Sequence, residues 1–205
     1  MLGPLLVLVA NMYGVWRAFG TGPDSIVEAA MTTPYVVFGG ARLLGGSFLV
    51  FGLIALYAYQ LEATGRLGLV GFVVSMIGTV LLTGSGWYQL FIVPAMAAEV
   101  PAFTEAVRAA QVGQWLTVGL LVPLLAQTVG WVIFGIATFR AQVFPRWIAV
   151  AVVVGALLLF VPIPGIPAVF QLAVASMGFL LFSGRLEPPV QEPDLHRSQS
   201  ESIGD

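Results

Sequence analysis

Arg42 is the one charge set inside an otherwise apolar segment, and five amides, Asn11, Gln89, Gln114, Gln127 and Gln171, are scattered through similar segments. A guanidinium presents a fork of N–H donors that matches carboxylate and phosphate oxygens. Carboxamides both donate and accept hydrogen bonds. Brought together, these six side chains can hold an anionic or amphipathic ligand, as a pocket opening toward the outer face. They cannot run acid–base chemistry, because an amide does not titrate and arginine keeps its proton. The plainer duty for amides in apolar helices is interhelical hydrogen bonding, which averages about 0.6 kcal/mol per contact and still orients helices. Arg42 also has a plain reading, since it lies only about 10 Å along a helix from Tyr35 and its long stem can snorkel to an interface. Spacing alone favours the plain readings.

Other chemistry is poorly represented. The chain has no Cys, so disulfides, iron–sulfur clusters and thiol nucleophiles are excluded. His196 is the single histidine and lies in a polar tail, which argues against haem or zinc; no cofactor is expected. Hydroxyls within the apolar segments have no His, Lys or carboxylate beside them in sequence to activate them. Asp24, Glu99 and Glu105 read as solvated surface rather than a catalytic pair. The expectation is a non-enzymatic protein.

The elements that must position these residues are apolar helices. Residues 67–98, 109–139 and 147–184 carry no charge at all. Hydrophobic residues make up 59% of the chain and charged ones 9%, with a mean hydropathy of +0.97, against roughly 25% charged in soluble domains. About 20 apolar residues at 1.5 Å each cover a hydrocarbon layer of about 30 Å. The pattern predicts an all-α, polytopic transmembrane bundle of about six spans, at 2–20, 35–61, 67–92, 113–139, 147–161 and 168–184. The first run could also be a signal peptide ending near Ala18-Phe19-Gly20, but no basic residue precedes it, so a retained helix is favoured.

Between the spans, Glu62-Ala63-Thr64-Gly65-Arg66 forms a tight turn, making 35–92 a helical hairpin. Within 94–111, Phe103, Val107 and Ala110 share one face and Glu105 and Arg108 another, which predicts a short interfacial helix. Pro123 should kink the fourth span and free the Gly119 carbonyl, with Gln127 and Thr128 one turn later to help satisfy it. The prolines at 162, 164 and 167 must end a helix. Gly68, Gly71, Ser75 and Gly78, with Thr79, form a small-residue face suited to close helix packing, or to a homo-oligomer or membrane partner. Residues 185–205 are rich in Pro, Ser and carboxylates and read as a disordered tail.

The formal charge of −2 belongs to that tail, which carries two arginines and five carboxylates. No basic stripe exists for nucleic acid; membrane lipids are the expected partners. All eight basic residues are Arg, a hint of a GC-rich coding sequence. Placing Arg66, Arg140, Arg146, Arg185 and Arg197 inside and Arg17, Arg42 and Arg108 outside satisfies the positive-inside rule, with both termini cytoplasmic. Trp16, Trp87, Tyr88 and Trp115 then fall near the outer interface and Trp147 near the inner one. Phe51-Gly52-Leu53-Ile54-Ala55 faintly echoes Phe134-Gly135-Ile136-Ala137, the mark of a parallel repeat as in some transporters, with a midplane site near Pro123 and Gln127. The shared demands of short turns explain the echo equally well.

In Glu62-Ala63-Thr64-Gly65-Arg66-Leu67-Gly68, Val143-Phe144-Pro145-Arg146-Trp147 and Gly86-Trp87-Tyr88, the chain resembles the small uncharacterised multi-pass membrane proteins of GC-rich bacteria that are grouped as domains of unknown function. The likeness covers about residues 35–184. It implies a bacterial plasma (inner) membrane protein of six or seven helices and carries no activity or site residues with it.

Overall fold

The structure, a computed structural model, describes residues 2–19, 26–30, 32–100, 102, 105, 113–161, 163 and 165–184; for 12–19, 26–27, 113–117 and 120 it describes the backbone alone. The described residues are helical and form no strand. In chain order they give α1 (Leu2–Phe19), α2 (Ile26–Ala30), α3 (Thr33–Trp87), a π-helical turn (Tyr88–Ile92), α4 (Val93–Glu99), α5 (Gly113–Ala141), α6 (Arg146–Leu158) and α7 (Pro167–Ser183). The polar tail expected at 185–205 lies outside the described residues.

α3 is a hairpin of two arms, 33–64 and 66–87, reversed at one residue. Gly65 has φ 55° and ψ −145°, a left-handed φ that glycine adopts without a Cβ clash. The expected turn therefore shrinks to one position: Glu62, Ala63 and Thr64 stay helical, and the Thr64 hydroxyl donates back to the Gln60 carbonyl at 2.8 Å. Beyond Gly65 the arms close on one another, with the Tyr57 and Phe72 rings stacked at 4.3 Å. A second reversal follows α5, where Gln142 takes φ 54° and Pro145 precedes α6. The Tyr59 ring lies 6.0 Å from that of Phe144, so both reversals share one end of the bundle. Arg66, Arg140 and Arg146 are exposed there.

The small-residue face packs inside the chain. A Cβ on Gly71 would stand 2.5 Å from the Phe134 nitrogen, and one on Gly78 would collide with the Gln127 backbone. From the other side, a Cβ on Gly130 would strike the Ser75 backbone. The second arm of α3 and α5 thus run backbone against backbone, the contact by which helices associate in lipid. This face is covered by α5 and is not open to a second copy. α1 lies on the first arm in the same manner, Gly3 against Leu49 and Gly45 against Val7. The echoed glycines part company: a Cβ on Gly52 would meet open space, whereas one on Gly135 would stand 2.7 Å from the Val153 side chain.

Alongside an apolar core that includes Leu53, Trp131, Phe134 and Met177, the polar residues Gln60, Ser75, Thr79, Gln127, Thr138 and Gln171 are buried, while Phe182 is 86% and Phe51 67% exposed. Two helical segments are long and apolar enough to cross a membrane, Thr33–Glu99 and Leu121–Ala141. The six separate spans expected from hydropathy are not supported. Arg146–Leu158 and Pro167–Ser183 are apolar but shorter; the 13 residues of α6 rise only about 20 Å. The reason is the proline-rich connection, where Leu159 and Phe160 already make turn bonds to Ala156 and Leu157 and Gly165 takes φ 91°.

α5 is assigned as one helix through Pro123; Gln127 bonds to Thr79 and the Thr128 hydroxyl has no partner, so the help expected from them for the Gly119 carbonyl is not seen. Pro94 does not open a loop: helix continues to Glu99. The π turn makes this feasible. The Val93 N–H donates to the Tyr88 carbonyl, so the Gln89 carbonyl would need Pro94, which has no N–H. The Tyr35 hydroxyl fills the vacancy, donating to that carbonyl at 2.8 Å. Of the expected interfacial helix, Val100, Ala102 and Glu105 are described, and its apolar face of Phe103, Val107 and Ala110 lies outside the described residues.

Candidate functional site

Arg42, Asn11, Gln127 and Gln171 line one chamber of about 200 Å³ between α1, both arms of α3, α5 and α7. Thr79 and Thr83 complete its polar wall, and Leu49, Leu124, Leu159 and Phe170 are among its apolar lining. Arg42 is the cation of this lining, which has no Asp, Glu, His or Cys among the described residues. It presents one positive fork with amides and hydroxyls around it.

Local packing explains the geometry. The backbone contact between Gly78 and Gln127 brings the Gln127 amide to Thr79, where the hydroxyl donates to Oε1 at 2.7 Å. The same hydroxyl lies 2.7 Å from the Ser75 carbonyl, and one proton cannot serve both acceptors. Turning the amide about its last bond resolves the conflict, letting Nε2 donate to Thr79 while Thr79 donates to Ser75. Thr83 donates to the Thr79 carbonyl at 2.7 Å, and the absent side chain of Gly46 leaves room for it. Gln171 stands on α7 beside Phe170, whose ring meets Trp131 edge-on at 5.2 Å. It is 5% exposed, and its Oε1 has no hydrogen-bond partner. A buried amide oxygen left unpaired costs about 1–3 kcal/mol, so this wall of the chamber is incomplete by itself.

The other two amides behave differently. Gln89 lies in the π turn and does not line the chamber; its backbone carbonyl, not its side chain, makes the long-range bond to Tyr35. Gln114 is in the first turn of α5, and its side chain lies outside the described residues. Thr79 and Thr83 escaped sequence reasoning, although Ser75, Thr79 and Thr83 recur every fourth residue on the small face. A second polar cluster was also missed. Gln60, 1% exposed, has its amide 2.9 Å from the Thr138 hydroxyl, which also lies 2.9 Å from the Phe134 carbonyl.

Below the chamber, the seam between α1, the first arm of α3 and α7 widens into an apolar groove of about 840 Å³, lined by Leu2, Phe48, Gly52, Ala55, Val174 and Phe182 among others. Leu49 borders both spaces.

No protein-family model matches this chain, and neither a curated protein nor a solved structure matches it. The function must be read from the site.

Proposed function

We propose that this chain is a multi-pass integral membrane protein of a bacterial plasma membrane that binds a small ligand or lipid without transforming it, alone or as an accessory subunit. The single observation that carries the binding role is the chamber: one arginine, two glutamines, an asparagine and two threonines facing a common space within an apolar bundle. The many exposed Phe, Leu and Val side chains support the membrane setting, since water would penalise that surface. The hairpin at Gly65 doubles the crossings of the Thr33–Glu99 segment, and α1, α6 and α7 add shorter companions. Gathering Arg66, Arg140 and Arg146 at one end supports a cytoplasmic location for the two reversals. The lining residues offer hydrogen bonds and one charge but no general base or nucleophile, which favours binding over catalysis.

The test is the lipid content of protein purified in mild detergent. Wild type should carry an anionic species near one per chain, and Arg42→Ala should lose it while melting at the same temperature. Equal retention by both proteins rejects the binding role.

A second reading, a small secondary transporter, draws on Gln127 and Leu124 lining the chamber close to Pro123. The absence of native cysteine makes accessibility mapping clean. Transport predicts that Thr83→Cys and Gln127→Cys are labelled from both sides of sealed vesicles; labelling from one side alone rejects it.

A further inference from the structure

The chamber and the groove occupy one seam. α1 runs antiparallel to the first arm of α3, with Gly3 beside Leu49, Val7 beside Gly45, and Asn11 sharing the chamber with Arg42. α7 follows the same line, placing Gln171 at the chamber and Val174 and Phe182 at the groove. The polar space and the apolar one therefore abut, with one side chain as their shared wall. Leu49, 4% exposed, belongs to both walls. At its far end the groove opens outward, where Phe51 and Phe182 are exposed.

We infer that this seam binds a single-chain anionic amphiphile, with a phosphate or carboxylate at Arg42 and an acyl tail passing Leu49 into the groove. This rests on the binding role proposed above and adds the ligand's class and orientation. The charge fixes the head: Arg42 supplies the cation and the forked donors, and the described lining has no carboxylate to compete for them. The unpaired Gln171 Oε1 calls for a hydrogen-bond donor beside the anion, such as a hydroxyl. The chamber's size admits a small head. The tail is placed by adjacency, since the groove borders the chamber at Leu49 and its named walls are apolar throughout. Because surrounding lipid is as apolar as the groove, the tail adds little selectivity, and the head decides which amphiphile is held.

Two substitutions separate head from tail. Gly52→Trp fills the groove from a position where a Cβ meets nothing within 4 Å, and Ala55→Trp does so from an exposed groove position. Arg42→Gln removes the charge. The full chain in nonionic detergent micelles is titrated with hexadecyl phosphate, palmitate and butyl phosphate and read by native mass spectrometry, with circular dichroism to check each variant's fold.

Wild type should bind hexadecyl phosphate or palmitate one to one, and the tighter of the two identifies the head. Arg42→Gln should weaken the long-chain probes and butyl phosphate at least tenfold. Each folded groove variant should weaken the long-chain probes at least tenfold and leave butyl phosphate unchanged. Long-chain binding unaltered by a folded groove variant overturns the tail assignment alone. Binding of all probes unaltered by Arg42→Gln, or no binding by wild type, overturns the chamber's role with it.

Discussion

Two glutamine–threonine pairs join α3 to α5, Gln60 with Thr138 near the reversals and Gln127 with Thr79 at the chamber. The bond is the same in both, and so is the local device: each threonine hydroxyl also lies within bonding distance of the carbonyl four residues earlier. Their surroundings differ. Gln60 sits beside the packed core of Leu56, Phe134 and Phe144 and lines neither cavity described above, whereas Gln127 forms part of the chamber wall. Identical polar chemistry thus fastens helices where packing is complete and lines a receptor where packing stops short. The neighbours make the difference. At the chamber, Gly46 and Thr83 replace the large side chains that would otherwise fill the space.

The contrast can be broken first at the glycines beneath both pairs. Gly71→Val and Gly78→Val should each cost about 3 kcal/mol, because the new side chains meet backbone that cannot yield; thermal unfolding in detergent would measure it. Equal truncation of the two glutamines sharpens the comparison. Gln60→Ala should cost about 2 kcal/mol by opening a void in a closed region, while Gln127→Ala should cost about 1 kcal/mol because its void merges with an existing chamber. The reverse order would refute the claim that packing ends at Gln127. Tyr35→Phe should cost about 1 kcal/mol by stranding the Gln89 carbonyl, as thermal unfolding would show. The smallest effect is the bond itself: double-mutant cycles, using Thr138→Val with Gln60→Leu and Thr79→Val with Gln127→Leu, should give similar couplings of about 0.6 kcal/mol. A coupling several times larger at one pair would mean that the bond, not its setting, distinguishes them.

Much of the fold was legible because it depends on local rules. Helical character follows from the apolar runs, the reversal from Gly65, and the close approach to α5 from glycines spaced along one face. Part of the site was legible too, since polar residues in apolar helices seek shared space; Arg42, Asn11, Gln127 and Gln171 do meet. What escaped depends on distant partners. Gln89 appeared equivalent to the other amides, but Pro94 upsets the hydrogen-bond register around it and a tyrosine 54 residues earlier restores the lost bond. Gln60 went unnoticed in the sequence because its partner Thr138 stands 78 residues later. Hydropathy overcounted the spans because it measures apolar length and does not register where turns shorten the helix, as they do after Leu158.

The π turn at Tyr88–Ile92 also constrains how this chain can vary. Adding one residue to an α-helical track rotates all that follows by about 100°, and that phase offset sets the inward direction of Val93, which packs with Ala29, Ala30 and Tyr35. Deleting any one of residues 88–92 would restore an ordinary helix and dephase that cluster, while leaving the Arg42 chamber's own residues in register. In this bundle, insertion and deletion at that turn should therefore be selected against more strongly than substitution, even though no residue there lines either cavity.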